Sequence, residues 1–131
     1  MTATDATTSS RRLDGVVWTS GALAIGCALL AIGHSGVQIP VLSALGPGGA
    51  RAVVPAAIAF TVAALLHALI SVGVARRRSW AWPLGVLIAA ATLLGAITPF
   101  RGVMSGVGIV LAGAELALLL TRDGRRLLRA T

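Results

Sequence analysis

Four long apolar runs leave this chain few ways to fold. Residues 15–33 (GVVWTSGALAIGCALLAIG) and 80–100 (WAWPLGVLIAAATLLGAITPF) carry no charge. Residues 53–75 (VVPAAIAFTVAALLHALISVGVA) contain one histidine, and residues 102–121 (GVMSGVGIVLAGAELALLLT) contain one glutamate. Each run is close to the roughly 20 residues that a helix needs to cross a hydrocarbon core of about 30 Å. In lipid, every backbone donor and acceptor must be satisfied within the segment or within a closed barrel. Barrel strands are about 9–11 residues of alternating polarity; these runs are longer and do not alternate. The expected fold is therefore all-α, a four-transmembrane-helix bundle of up-and-down topology with helices at about 15–35, 53–75, 80–100 and 102–121.

Composition points the same way. Charged residues make up 11% of the chain and the mean hydropathy is +0.91, whereas soluble domains carry about 25% charged residues. Glycine, alanine and other small residues let helix backbones approach closely in lipid, where packing is the main attraction. The net charge of +7 comes entirely from arginine, in short clusters between apolar runs, so it is read as topogenic and gives no nucleic-acid partner. The chain has no lysine and no asparagine, which excludes Schiff-base lysine chemistry and N-linked glycosylation. Its one cysteine, Cys27, lies inside the first run and is read as a small packing residue, since a signal h-region would end before it.

Orientation follows from the arginines. Arg11 and Arg12 precede the first run, Arg76, Arg77 and Arg78 join the second to the third, and Arg122, Arg125, Arg126 and Arg129 follow the fourth; only Arg51 and Arg101 lie in the other loops. Arginine-rich short loops stay cytoplasmic, so both termini are expected inside. Residues 1–14 then form a disordered cytoplasmic tail, 15–121 the transmembrane domain, and 122–131 a basic cytoplasmic tail. Trp18, Trp80 and Trp82 fall at the cytoplasmic ends of the runs, where indoles favour the headgroup region; with Arg76, Arg77, Arg78 and Arg122 they are the expected interface anchors. Pro55 and Pro83 sit in first turns, where a missing N–H costs little, and Pro99 lies near the end of the third run. The loop 34–52 is apolar, with a short interfacial helix expected at 40–45.

Candidate chemistry is confined to two helices. In the last run Ser105, Gly108, Ala112 and Glu115 recur at steps of three and four, and so share a small, polar face. In the second, Ala59, Ala63, His67 and Ser71 recur at steps of four and form another such face. Glu115 lies seven residues before Arg122 and His67 nine before Arg76, so their depths differ by only about 3 Å. They are expected to meet in the bundle interior, with Thr19 and Ser20 of the first helix and Thr92 of the third as further members. A lone charge in mid-membrane costs about 2.5–3.5 kcal/mol on insertion scales, a strong reason for such groups to pair. The pair is read either as a proton-coupled site or as polar glue between helices. His34 is read as interfacial. Two histidines and one membrane glutamate, widely spaced, are a poor metal set, and no catalytic fingerprint, phosphate loop or dinucleotide motif occurs. Neither enzyme activity, metal nor cofactor is expected. GVMSG at 102–106 also offers a GxxxG spacing.

The turn GVARRRSWAWPLGVL at 73–87, together with the helix count, resembles the helix–arginine–tryptophan–helix junction of small four-helix integral membrane proteins of high-GC actinobacteria, most of unassigned function. The resemblance implies a multi-pass protein of a bacterial plasma membrane and carries no active site. Small multidrug exporters have a key glutamate in the first helix, which is absent here; small fluoride channels use a pore asparagine, and the chain has none. Expected partners are the bilayer, the anionic headgroups of its cytoplasmic face, and a second copy or a larger membrane complex. The expected role is that of a small structural, accessory or interaction protein, the other reading being a proton-coupled transporter or channel using Glu115 and His67.

Overall fold

The apolar runs become four helices in the computed structural model, which describes residues 3–37, 40, 52–98, 100, 102–121 and 124–125. They are α1 (Ala3–His34), α2 (Val54–Ala75), α3 (Ala81–Ile97) and α4 (Val103–Leu120), and the described residues contain no strand. Three spans, Leu13–His34 of α1, all of α2 and all of α4, are long and apolar enough to cross a membrane; α3 is apolar but shorter. The expected helix at 40–45 beyond its first residue, Pro99, the loop arginines Arg51 and Arg101, and Arg122 with most of the 122–131 tail lie outside the described residues.

Two boundaries differ from expectation. α1 begins at Ala3, where a disordered tail to residue 14 is expected. Extending an existing helix avoids the cost of a nucleus, and the alanines and arginines of this segment are good helix formers. Leu13, within that segment, is already part of the core. α3 stops at Ile97, and Thr98 is extended at φ −129°, ψ 112°. Thr98 precedes Pro99, whose ring disfavours helical geometry in the residue before it. With 17 residues, α3 spans about 25 Å.

α1 packs against α2 and α4, and α3 packs against the same two helices. An apolar cluster of Leu13, Val16, Ile70, Val74, Ala81 and Leu119 draws on all four. Two glycines make the close approach possible. A Cβ on Gly73 would sit 2.5 Å from the Trp80 ring and 2.9 Å from the Ala81 Cβ, and one on Gly85 would sit 2.9 Å from Leu119. The GxxxG pair has no such role: Gly102 caps α4 outside the helix at φ 73° and Gly106 faces open space. Polar side chains add two further ties. The Ser71 hydroxyl donates to the Val17 carbonyl at 3.1 Å, and the Trp82 indole N–H donates to the Leu119 carbonyl at 2.9 Å. At the far end of the bundle, Val53 N–H donates to His34 C=O at 2.8 Å and the His34 ring lies 5.1 Å from that of Phe60.

The outside of the bundle is apolar. Ile58, Val62, Leu65, Leu69 and Val72 form one stripe along α2, each 48–66% exposed. A water-soluble monomer rarely shows so large an uncovered aliphatic band; a hydrocarbon surround accommodates it. This exterior, with the helix lengths, is compatible with a multi-pass membrane protein.

Candidate functional site

Each helix contributes one polar side chain to a single chain of contacts through the interior. Ser20 of α1 lies one turn after the core residue Val16, His67 of α2 nearly one turn before Ile70, and Glu115 of α4 one turn before Leu119. Residues three or four apart share a helix face, so the packing that buries the apolar cluster also turns these three inward. All three are completely buried. The Ser20 hydroxyl donates to Glu115 Oε1. Glu115 Oε2 faces His67 Nδ1 at 3.5 Å across the ring of helices. His67 Nε2 lies 3.0 Å from Oγ1 of the half-buried Thr92 on α3.

The middle of this chain is slack. Neither Glu115 Oε2 nor His67 Nδ1 makes a hydrogen bond with any described residue, although the two lie 3.5 Å apart. A charge-assisted N–H···O bond is about 2.7–2.9 Å long, so closing the gap needs a shift of well under 1 Å. A site without net charge has two arrangements. A neutral carboxyl can donate from Oε2 to Nδ1 while Nε2–H donates to Thr92 Oγ1. Alternatively, an imidazolium can donate from both nitrogens, with Glu115 as the carboxylate. They differ only in the position of one proton on the Nδ1–Oε2 line. Both avoid the cost of a lone intramembrane charge.

Other candidate residues are placed elsewhere. Ser71 bonds the α1 backbone instead of joining the chain. Thr19 turns its hydroxyl back to the carbonyls of Gly15 and Val16 in its own helix, at 2.9 and 3.1 Å. Ser105 is half-buried, but it is ten residues from Glu115, about 15 Å along the axis. Ala112 is buried as its helix face requires, whereas Ala59 is exposed, so the small face of α2 turns inward only from Ala63. Cys27 is buried and free. His34 Nδ1–H donates to the Leu30 carbonyl at 2.8 Å, at the end of α1. No three of His, Cys, Asp and Glu gather among the described residues.

The expected anchors divide. Trp18 and Trp80 are 78% and 41% exposed, and Arg76, Arg77 and Arg78 are exposed at the α2–α3 turn. Trp82 instead points inward and satisfies one of the last carbonyls of α4, a group that a helix end leaves without an intrahelical donor. The sequence carries a signal for this division. Residues two apart on a helix do not share a face, so Trp80 and Trp82 cannot both lie against the same surroundings. Comparison with family models, with curated proteins and with solved structures finds no match to the chain.

Proposed function

We propose that the chain is a small structural or accessory protein of a bacterial plasma membrane, and that the Ser20–Glu115–His67–Thr92 chain is the polar tie that sets its helix packing. In this reading all four helices cross the bilayer in up-and-down order with both termini cytoplasmic. Nine of the eleven arginines flank one side of that arrangement, in keeping with the retention of basic loops in the cytoplasm. The observation that carries the reading is the complete burial of Ser20, His67 and Glu115 in a network with one member from each helix. Such interhelical polar contacts act as glue in lipid. No catalytic step is assigned, and the partner is a second copy or another membrane protein.

A second reading, a proton-coupled carrier or channel, is favoured by one specific observation: Glu115 Oε2 and His67 Nδ1 face each other unbonded, an arrangement that can pass a proton. Purified protein in liposomes loaded with a pH-sensitive dye separates the two. The structural reading expects proton flux equal to that of protein-free vesicles, with Glu115→Gln also without flux. Flux in the parent protein that disappears in Glu115→Gln overturns it in favour of the carrier.

A further inference from the structure

The α2–α3 turn is built more firmly than a topogenic signal requires. α2 ends with Arg77 N–H donating to Val74 C=O and Arg78 N–H donating to Gly73 C=O, both at 2.9 Å. This double closure places the first of the two donor residues in the left-handed region, and Arg77 sits there at φ 52°. Glycine is the usual occupant; here the position carries a guanidinium. Ala81 N–H then donates to Arg78 C=O at 3.0 Å as α3 begins, and the Trp80 ring is seated over the bare backbone of Gly73. The backbone of the turn is therefore held at both ends.

This fixed turn encloses a half-open cleft of about 310 Å³ lined by Arg76, Arg77, Arg78, Ser79 and Trp80. Ligand pockets begin near this size, at about 300 Å³. The chain has no acidic residue from 15 to 114, so α2, the turn and α3 carry basic side chains and no acidic ones. The lining residues carry guanidinium, hydroxyl and indole N–H groups, each of a kind that can donate to an anion. Guanidinium binds phosphate oxygens bidentately, and indole favours the headgroup region of a bilayer.

We infer that this cleft is a binding site for the phosphate group of an anionic phospholipid, one headgroup per turn. The lipid source rests on the membrane reading above, which puts the turn at the cytoplasmic headgroup level. A diffuse basic loop and a built site differ in what they ask of the cation. Diffuse attraction depends on charge alone, whereas bidentate recognition distinguishes Arg from Lys.

The test uses the full chain in nanodiscs of phosphatidylcholine with a minor fraction of phosphatidylglycerol, with retained lipid counted by native mass spectrometry. The parent protein is expected to retain one phosphatidylglycerol selectively. The Arg76→Lys/Arg78→Lys variant, which keeps charge and topogenic signal, is expected to retain it about fivefold less or weaker still. Arg11→Lys/Arg125→Lys should match the parent. Equal retention by all three proteins overturns the site. Inorganic phosphate binding in pure phosphatidylcholine discs, with no selectivity for phosphatidylglycerol, overturns the lipid as source. Alkaline extraction of the parent from membranes is run alongside: release by alkali refutes the membrane reading itself, while retention without lipid selectivity refutes only the site.

Discussion

Placing a methyl group on Gly73 tests the interior packing at its tightest point. The new Cβ would lie 2.5 Å and 2.9 Å from two atoms of the Trp80 ring and 2.9 Å from the Ala81 Cβ, against an optimal carbon–carbon separation of about 3.5–4.0 Å. The half-exposed Trp80 ring can swing outward, but the Ala81 Cβ is fixed to the first turn of α3, which must move by more than 0.5 Å or so. Overpacking of this kind costs about 1–3 kcal/mol, and alanine recovers about 1 kcal/mol of helix propensity. Gly73→Ala is therefore expected to destabilise the fold by about 1 kcal/mol. Gly113→Ala is the internal control, because no atom lies within 4 Å of its Cβ position; only the propensity gain applies, so it should stabilise by up to about 1 kcal/mol. Reversible unfolding in mixed detergent micelles, followed by helical circular dichroism, measures both. The same substitution should give opposite signs at the two sites. A Gly73→Ala protein as stable as Gly113→Ala would refute the close approach of α2 and α3.

Three further outcomes follow from the hydrogen bonds. Thr19→Val should change stability by less than about 0.5 kcal/mol, because Thr19 bonds only its own helix; a loss as large as that of Ser20→Ala would contradict that placement. Trp82→Phe removes the donor to the Leu119 carbonyl and should cost about 1 kcal/mol in the same unfolding assay, with an unchanged midpoint counting against the bond. A hydrophobic carbodiimide, which attacks protonated carboxyls in apolar surroundings, should modify Glu115 to an extent that does not titrate between about pH 5 and 9 if the pair is a fixed structural tie. Mass spectrometry reads the adduct, with exposed Asp14 as reference; labelling that titrates near neutrality would favour the proton-coupled reading.

Much of this organisation can be read from residue order alone, for physical reasons. Uncharged runs of membrane-spanning length have only one economical backbone form, so the four helices follow from the backbone's own demands. Depth is also readable, because 1.5 Å per residue converts the distance from a basic cluster into a height; that places Glu115 and His67 in one layer. Rotation is harder. Thr19 and Ser20 are adjacent and chemically alike, and only tertiary packing decides which turns toward Glu115. The same holds for Ala59, exposed although it continues the periodic face of Ala63 and His67. The end of α3 was readable in principle from the Thr98–Pro99 pair, whereas the start of α1 was not, since polar composition hides how readily a helix propagates backward from a packed segment. Gly73 carried no signal among sixteen glycines; its importance depends on Trp80, brought over it by the turn.

The polar tie itself is tested most directly by a double-mutant cycle between Ser20→Ala and Glu115→Met, measured by reversible unfolding. Methionine approximates the volume of glutamate without its oxygens, so the coupling isolates the bond between α1 and α4. Interhelical polar contacts in lipid average about 0.6 kcal/mol and reach about 1.7 kcal/mol. A fully buried hydroxyl–carboxyl bond belongs at the upper end, and a coupling of about 1 kcal/mol or more is predicted. Additivity within about 0.5 kcal/mol, the behaviour of independent sites, would contradict the account by leaving α1 and α4 without a polar tie at Glu115.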